Sequence, residues 1–157
     1  MKAAAIACLL LLAGCGFQLQ GRQMLPAALA SMQLEAVDRQ SDFARALRTS
    51  LTASGARLVD KAPAEGTVVR ILRDSLTERV LSVDARNIPT DFELTYEVEV
   101  EVRAGTQELM AAEPFTLSRI YSFDERKLLA KEREKDILRE ALARDMASVV
   151  SRRLSAL

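Results

Sequence analysis

The chain is 157 residues long, carries 22 basic and 22 acidic side chains, and contains no histidine and two cysteines. This length suits a single domain, and the balanced charge gives no electrostatic basis for binding nucleic acid. The absence of histidine removes the commonest general base and metal ligand, and it excludes a Ser-His-Asp triad.

The N-terminus has the layout of a bacterial lipoprotein signal. Lys2 supplies a positive charge, an apolar run follows over residues 3–12, and Leu12-Ala13-Gly14-Cys15 closes the segment. The run is too short to span a membrane, which takes about 20 apolar residues. We therefore interpret residues 1–14 as a signal peptide and Cys15 as the lipid-attachment residue. The alternative is an ordinary cleaved signal with a coincidental cysteine.

Lipidation at Cys15 would determine where the protein resides. Two or more acyl chains hold a protein stably on a bilayer, and Gly16, where aspartate would signal inner-membrane retention, favours a periplasm-facing anchor in the outer membrane. Cleavage would take 14 of the 157 residues, including Cys8 and the basic Lys2, and leave a formal charge of −1. The mature chain could then form no disulfide, so its core must stabilise it. Apart from the covalent lipid we expect no cofactor.

The first half of the chain predicts a tether, a strand and a helix. Residues 15–30 are expected to be the lipidated tether, and residues 31–157 a single α+β domain that begins with a strand at 32–37. Ser41 is a plausible N-cap, and Gly55 stands where the following helix should end. The apolar positions of that helix recur every four residues at Phe43, Leu47 and Leu51. Leu58-Val59 could add a short strand.

Three long strands and a long helix are predicted next. Residues 67–83 are rich in strand formers and are expected to bulge near 73–75, and residues 92–103 alternate between apolar and polar side chains. A hairpin at Gly105 leads to a partner strand over 109–123, where Pro114 indicates an edge or a bulge. A helix is expected over 125–154. We predict a two-layer sandwich, with both helices packed on one face of a mostly antiparallel four-stranded sheet.

The sequence shows no catalytic constellation, phosphate loop or metal-ligand spacing. Four glutamates share one face of the strand 92–103: Glu93, Glu97, Glu99 and Glu101. A carboxylate pair could act as acid and base, but a solvated strand face accounts for the same pattern, so we do not expect an enzyme. Arg86 lies in the turn between two long strands, where its guanidinium could meet a phosphate or be simply solvated. Lys131 begins a charged helical turn of mixed sign, which is typical of a solvated face.

Several short motifs, in this order, resemble the LptE family of lipopolysaccharide-assembly lipoproteins. They are the start Cys15-Gly16-Phe17-x-Leu19, the strand end Leu81-Ser82-Val83, the pair Arg86-Asn87, Tyr96, the segment Arg119-x-Tyr121-x-Phe123-Asp124, the pair Ala130-Lys131 and the close Arg152-Arg153-Leu154. The chain departs from the family pattern at Ile88-Pro89, which follow Asn87 where a glycine turn would be expected.

The resemblance implies a fold, a partner and a ligand. It implies a two-helix, four-stranded sandwich that sits as a plug inside the β-barrel translocon LptD and assists lipopolysaccharide insertion into the outer leaflet. It also implies lipopolysaccharide contacts at Arg86 and Lys131. Two other interpretations remain open from the sequence: an auxiliary lipoprotein of phospholipid transport or barrel assembly, and a lipid-anchored enzyme.

Overall fold

The computed structural model describes residues 25–122 and 128–157, and within the second segment it describes side chains from residue 133 onward. The predicted signal peptide, Cys15 and the tether as far as residue 24 lie outside the described residues. The elements in chain order are a 3-10 turn (Ala27–Leu29), β1 (Ser31–Ala36), α1 (Asp42–Ala53), β2 (Arg57–Val59), β3 (Thr67–Val83), β4 (Pro89–Ala104), β5 (Gln107–Ser122) and α2 (Leu128–Ser155).

Within the described residues, the strands form one five-stranded mixed sheet in the order β2-β1-β3-β4-β5. The prediction of four mostly antiparallel strands is therefore wrong in strand number and in part of the pairing. β1 pairs in parallel with both β2 and β3, whereas β3, β4 and β5 are antiparallel. The parallel pairing of β1 with β2 has a simple cause, since α1 crosses over between these strands and returns the chain to the same end of the sheet.

Helix α1 begins and ends where the sequence predicts. The Ser41 Oγ accepts a hydrogen bond from the Ala44 N–H at 3.0 Å, which satisfies one of the helix's exposed N–H groups. Gly55, with φ +94°, follows the end of the helix in a conformation that other residues rarely adopt. Ser41 and Tyr96 also donate hydrogen bonds to the two carboxylate oxygens of Asp74, at 2.5 and 2.8 Å, and so join α1 to β3 and β4.

The alternation in β4 sets the core. Its buried side chains are Leu94, Tyr96, Val98, Val100 and Val102, and the residues between them are partly exposed. The register of β3 against β4 shifts between Ile71 and Arg73, so the bulge lies just before its predicted position. Pro114 lies in β5, which is an edge strand, as predicted.

Helix α2 packs on α1 and β5 through a stripe with four-residue spacing, formed by Leu142, Met146, Val150 and Leu154, all buried. Arg153 contacts Glu113, and Arg119 contacts Asp145, both at 2.9 Å. The helix therefore runs antiparallel to β5. Its first turns consequently lie toward the end of the sheet that carries the β3–β4 turn. Both helices share one continuous core with the sheet.

Candidate functional site

The turn between β3 and β4 is closed by hydrogen bonds around Asp84. The Asp84 N–H donates to the Ile88 carbonyl at 2.8 Å, and the Asn87 N–H donates to the Asp84 carbonyl at 2.9 Å. Asn87 has φ +63°, a left-handed conformation that asparagine tolerates better than most residues. Asn87 thus supplies the conformation expected of a glycine, and Ile88-Pro89 do not prevent a tight turn.

The Asp84 carboxylate holds Arg86 in place. Its Oδ1 accepts hydrogen bonds from the backbone N–H groups of Arg86 and Ile88, at 2.8 and 3.0 Å. Its Oδ2 accepts from Nε and Nη2 of Arg86, at 3.0 and 2.9 Å. These bonds, the one from Ile88 foremost, lower the pKa of Asp84, so the residue is anionic at neutral pH.

Arg86 remains accessible despite this pairing, since its side chain is 72% exposed. Exposed ion pairs contribute little net free energy, so a phosphate could share or displace Asp84 at low cost. Sequence reasoning singled out Arg86 but missed Asp84. The available signal was an aspartate opening a turn, where its carboxylate commonly accepts backbone hydrogen bonds from residues further along the turn.

Lys131 lies in α2, and its side chain is outside the described residues. One helical turn later, the Lys135 Nζ lies 2.8 Å from Oε2 of Glu78 in β3. Glu78 precedes Asp84 by six residues, about 20 Å of extended strand. The first turns of α2 and the Arg86 turn are therefore at the same end of the domain. The charged turn at Lys135 lies against β3.

Sequence reasoning also missed a small polar cluster beneath the start of α2. The Tyr121 Oη donates a hydrogen bond to Glu78 Oε2 at 2.7 Å, beside the contact from Lys135. The Tyr121 ring stacks on Phe92, with ring centroids 5.5 Å apart. Burial acts to raise the pKa of Glu78, but the hydrogen bonds from Lys135 and Tyr121 outweigh it and lower the pKa below its usual 4.5.

This cluster predicts a pH-dependent contribution to stability. Because the pKa of Glu78 is lowered in the folded state, its contribution is present above its unfolded pKa and lost as pH falls through its folded pKa. Glu78→Gln should lower the free energy of unfolding at pH 7 and lower it less at pH 3, as measured by urea denaturation. An equal loss at both pH values would show that the ionised carboxylate contributes nothing.

Three of the four glutamates on the acidic face of β4 lie close to arginines of β3. Glu93 pairs with Arg79 and Glu101 with Arg70, and Glu97 lies 3.8 Å from Arg73. Carboxylates neutralised by neighbouring arginines fit the solvated-face interpretation better than an acid-base pair. Among the described side chains, those of residues 25–122 and 133–157, no group of three or more Asp, Glu, Cys or His residues is arranged to hold a metal ion.

The fold is similar to those of bacterial lipoproteins of known structure. It is similar to rare lipoprotein B from Shewanella oneidensis, with a TM-score of 0.68, 28% identity, and coverage of 80% of this chain and 94% of that one. It is also similar to lipoprotein B from Nitrosomonas europaea, with a TM-score of 0.73, 26% identity, and coverage of 90% and 91%. No helix in the described part of the chain is long and apolar enough to cross a membrane.

A model of the LptE family, described as lipopolysaccharide-assembly, matches residues 29–154, and the chain therefore belongs to this family. The resemblance noted in the sequence is confirmed. A relative named LPS-assembly lipoprotein LptE, from Pectobacterium atrosepticum, is 27% identical over 148 residues, 92% of this chain and 79% of the relative. The protein of the same name from Yersinia pestis is also 27% identical, over 70% of its length. Membership in this family favours lipopolysaccharide assembly over the other envelope machines considered above.

Proposed function

We propose that this protein is a non-catalytic outer-membrane lipoprotein that acts in lipopolysaccharide assembly. The observation that carries the proposal is the family match over residues 29–154, which includes nearly all of the described domain. Relatives that cover 92% of this chain bear the name LPS-assembly lipoprotein. The ion-paired carboxylates of β4 support binding over catalysis, because their partners neutralise them.

In this proposal the protein is held at the membrane by lipid on Cys15. The anchor would lie in the inner leaflet of the outer membrane, and the domain would face the periplasm. Residues 15–30 would tether it, and multiple acyl chains would make the attachment stable without a transmembrane helix.

The proposed partner is a β-barrel of the LptD type, with this domain as a plug in its lumen. Barrel interiors are polar, with charged and hydroxyl side chains. The open face of the sheet matches such a wall because several of its charges are already paired across strands, as in Arg70–Glu101 and Arg79–Glu93. The hydroxyls of Thr95 and Ser118 are hydrogen-bonded on the same face. Removing such an ion-paired surface from water costs less free energy than removing a surface with isolated charges.

The proposed ligand contact is made by Arg86 and Lys131 with phosphates of lipid A or the inner core. Arginine binds phosphate through two parallel N–H groups, and lysine adds a point charge. The support is geometric: Arg86 is exposed on a hydrogen-bonded turn, and the helical turn of Lys131 starts at the same end of the domain.

Binding to defined lipids tests the proposal. Immobilised lipidated protein should bind purified lipopolysaccharide saturably, and the affinity should fall with added salt because phosphate contacts are screened. Phosphatidylethanolamine, a zwitterionic lipid, serves as the control and should bind much more weakly. Equal binding of both lipids would contradict a lipopolysaccharide site.

A further inference from the structure

The end of β3 presents a cluster of exposed aliphatic side chains. Val80, Leu81 and Val83 are 48%, 40% and 49% exposed. Single exposed hydrophobic residues are ordinary on protein surfaces, but a cluster indicates a binding surface. We refer to these three residues as the β3 apolar end.

The exposure follows from the irregular end of the strand. The register of β3 against β4 shifts between Val80 and Ser82 and again between Ser82 and Val83, which leaves Leu81 without a partner. Such bulges redirect side chains and interrupt regular packing. Val80 lies opposite Phe92, and Phe92 lies opposite Tyr121, on which its ring stacks. Val80 thus continues a row formed by the rings of Phe92 and the buried Tyr121, and Leu81 and Val83 follow it along the strand.

The β3 apolar end leads directly into the cationic turn. Val83 immediately precedes Asp84, whose carboxylate accepts three hydrogen bonds from Arg86 and one from the Ile88 N–H. A ligand that satisfies both features must carry an anionic group close to hydrocarbon. A soluble sugar phosphate would use only the arginine, and an apolar protein surface would use only the aliphatic groups.

We propose that the β3 apolar end contacts the acyl chains of a phosphorylated, acylated lipid whose phosphate pairs with Arg86. The inference rests on the proposed function and adds a second component to that site. It makes acylation of the ligand, and not phosphate alone, a determinant of affinity.

A triple substitution, Val80→Thr, Leu81→Thr and Val83→Thr, tests the contact. Threonine is β-branched like valine and suits a strand, so the turn and its hydrogen bonds should persist. The control is Val37→Thr, a valine that is 92% exposed just after β1. Because Ala36 is aligned with Ile71, this position lies about 30 Å along β3 from the apolar end.

Full-length lipidated protein is immobilised, and binding is measured by surface plasmon resonance with two probes. One is lipopolysaccharide below its aggregation concentration, and the other is the same material after chemical removal of its acyl chains, with phosphates intact. The triple variant should bind intact lipopolysaccharide about tenfold more weakly, as expected for losing three partly buried apolar groups. It should bind the deacylated probe as wild type does, and Val37→Thr should match wild type with both probes.

Arg86→Gln distinguishes the acyl-chain contact from the proposed phosphate site, because this variant should weaken binding of both probes. If Arg86→Gln weakens binding but the triple variant binds intact lipopolysaccharide like wild type, the acyl contact is wrong and the proposed phosphate site stands. An equal loss for both probes in the triple variant would also overturn the inference, since it would report a distorted turn. If Arg86→Gln binds both probes like wild type, the phosphate site is wrong, and the acyl-chain contact is wrong with it.

Should the triple variant unfold, Val83→Thr alone replaces it. This variant should bind intact lipopolysaccharide about twofold more weakly and the deacylated probe as wild type does.

Discussion

Arg86→Asp combined with Lys131→Asp is expected to weaken lipopolysaccharide binding by roughly 10- to 100-fold, the loss expected when charge-assisted phosphate contacts are removed. The substitution also places a second carboxylate beside Asp84, which repels phosphate further. Because Arg86 is 72% exposed, the domain should remain folded. Titration with lipopolysaccharide measures the affinity, and the amount of assembled barrel in the outer membrane measures the assembly function, which should be largely retained.

A matched control distinguishes the loss of specific contacts from the effect of a change in net charge. Arg48→Asp with Arg57→Asp changes the formal charge by the same amount, on exposed residues of α1 and of the opposite edge strand β2. This control should bind lipopolysaccharide nearly as wild type does. If the Arg86 and Lys131 variant binds lipopolysaccharide as well as wild type, the assigned residues are wrong. The same follows if the control variant loses as much affinity.

Substitution of Cys15 is expected to have the second large effect, the loss of membrane attachment. Cys15→Ser removes the proposed lipid, and each buried CH₂ of the acyl chains contributes about 0.8 kcal/mol to membrane binding. To avoid an uncleaved precursor, residues 1–14 are replaced by a secretory signal with its own cleavage site. The protein should then move from the membrane fraction to the soluble periplasmic fraction, with unchanged thermal unfolding.

Cys8, the other of the two cysteines in the sequence, supplies the control for this prediction. Cys8→Ser in the natural signal should leave the mass of the lipidated mature protein and its membrane fraction unchanged. Retention of the Cys15→Ser protein in the membrane fraction, with no lipid in its mass spectrum, would show that something other than an acyl anchor holds it there.

The sequence predicts those parts of the fold that depend on a periodic pattern of apolar side chains or on a helix-capping residue. The alternation of β4 corresponds to its buried face, and Ser41 and Gly55 mark the limits of α1 through hydrogen bonding and left-handed backbone. These signals are local, because they depend on side-chain spacing and on the conformational preferences of single residues.

The sequence gives much weaker signals for the fifth strand and for the parallel pairing. β2 has three residues, Arg57–Val59, too few to show a period, and its partner β1 is identified only by the crossover through α1. Strand direction in a sheet depends on how the chain returns, and side-chain alternation is the same for parallel and antiparallel neighbours.

The candidate site was predictable in part. Arg86 stands out because a turn between long strands exposes a guanidinium, and Asp84 could have been added from turn chemistry. The contact of Lys135 and Tyr121 with Glu78 joins residues more than 40 positions apart in the chain, so no local pattern reports it. It becomes visible only once α2 is placed antiparallel to β5.

If this protein works within the lipopolysaccharide translocon, as proposed, it should co-purify with the barrel of that complex. Tagged, lipidated protein is extracted from outer membranes in mild detergent, and the proteins bound to it are identified by mass spectrometry and quantified. We expect one large β-barrel of the LptD type, at close to one copy per copy of this protein. Recovery of phospholipid-transport or barrel-assembly components, without such a barrel, would contradict it.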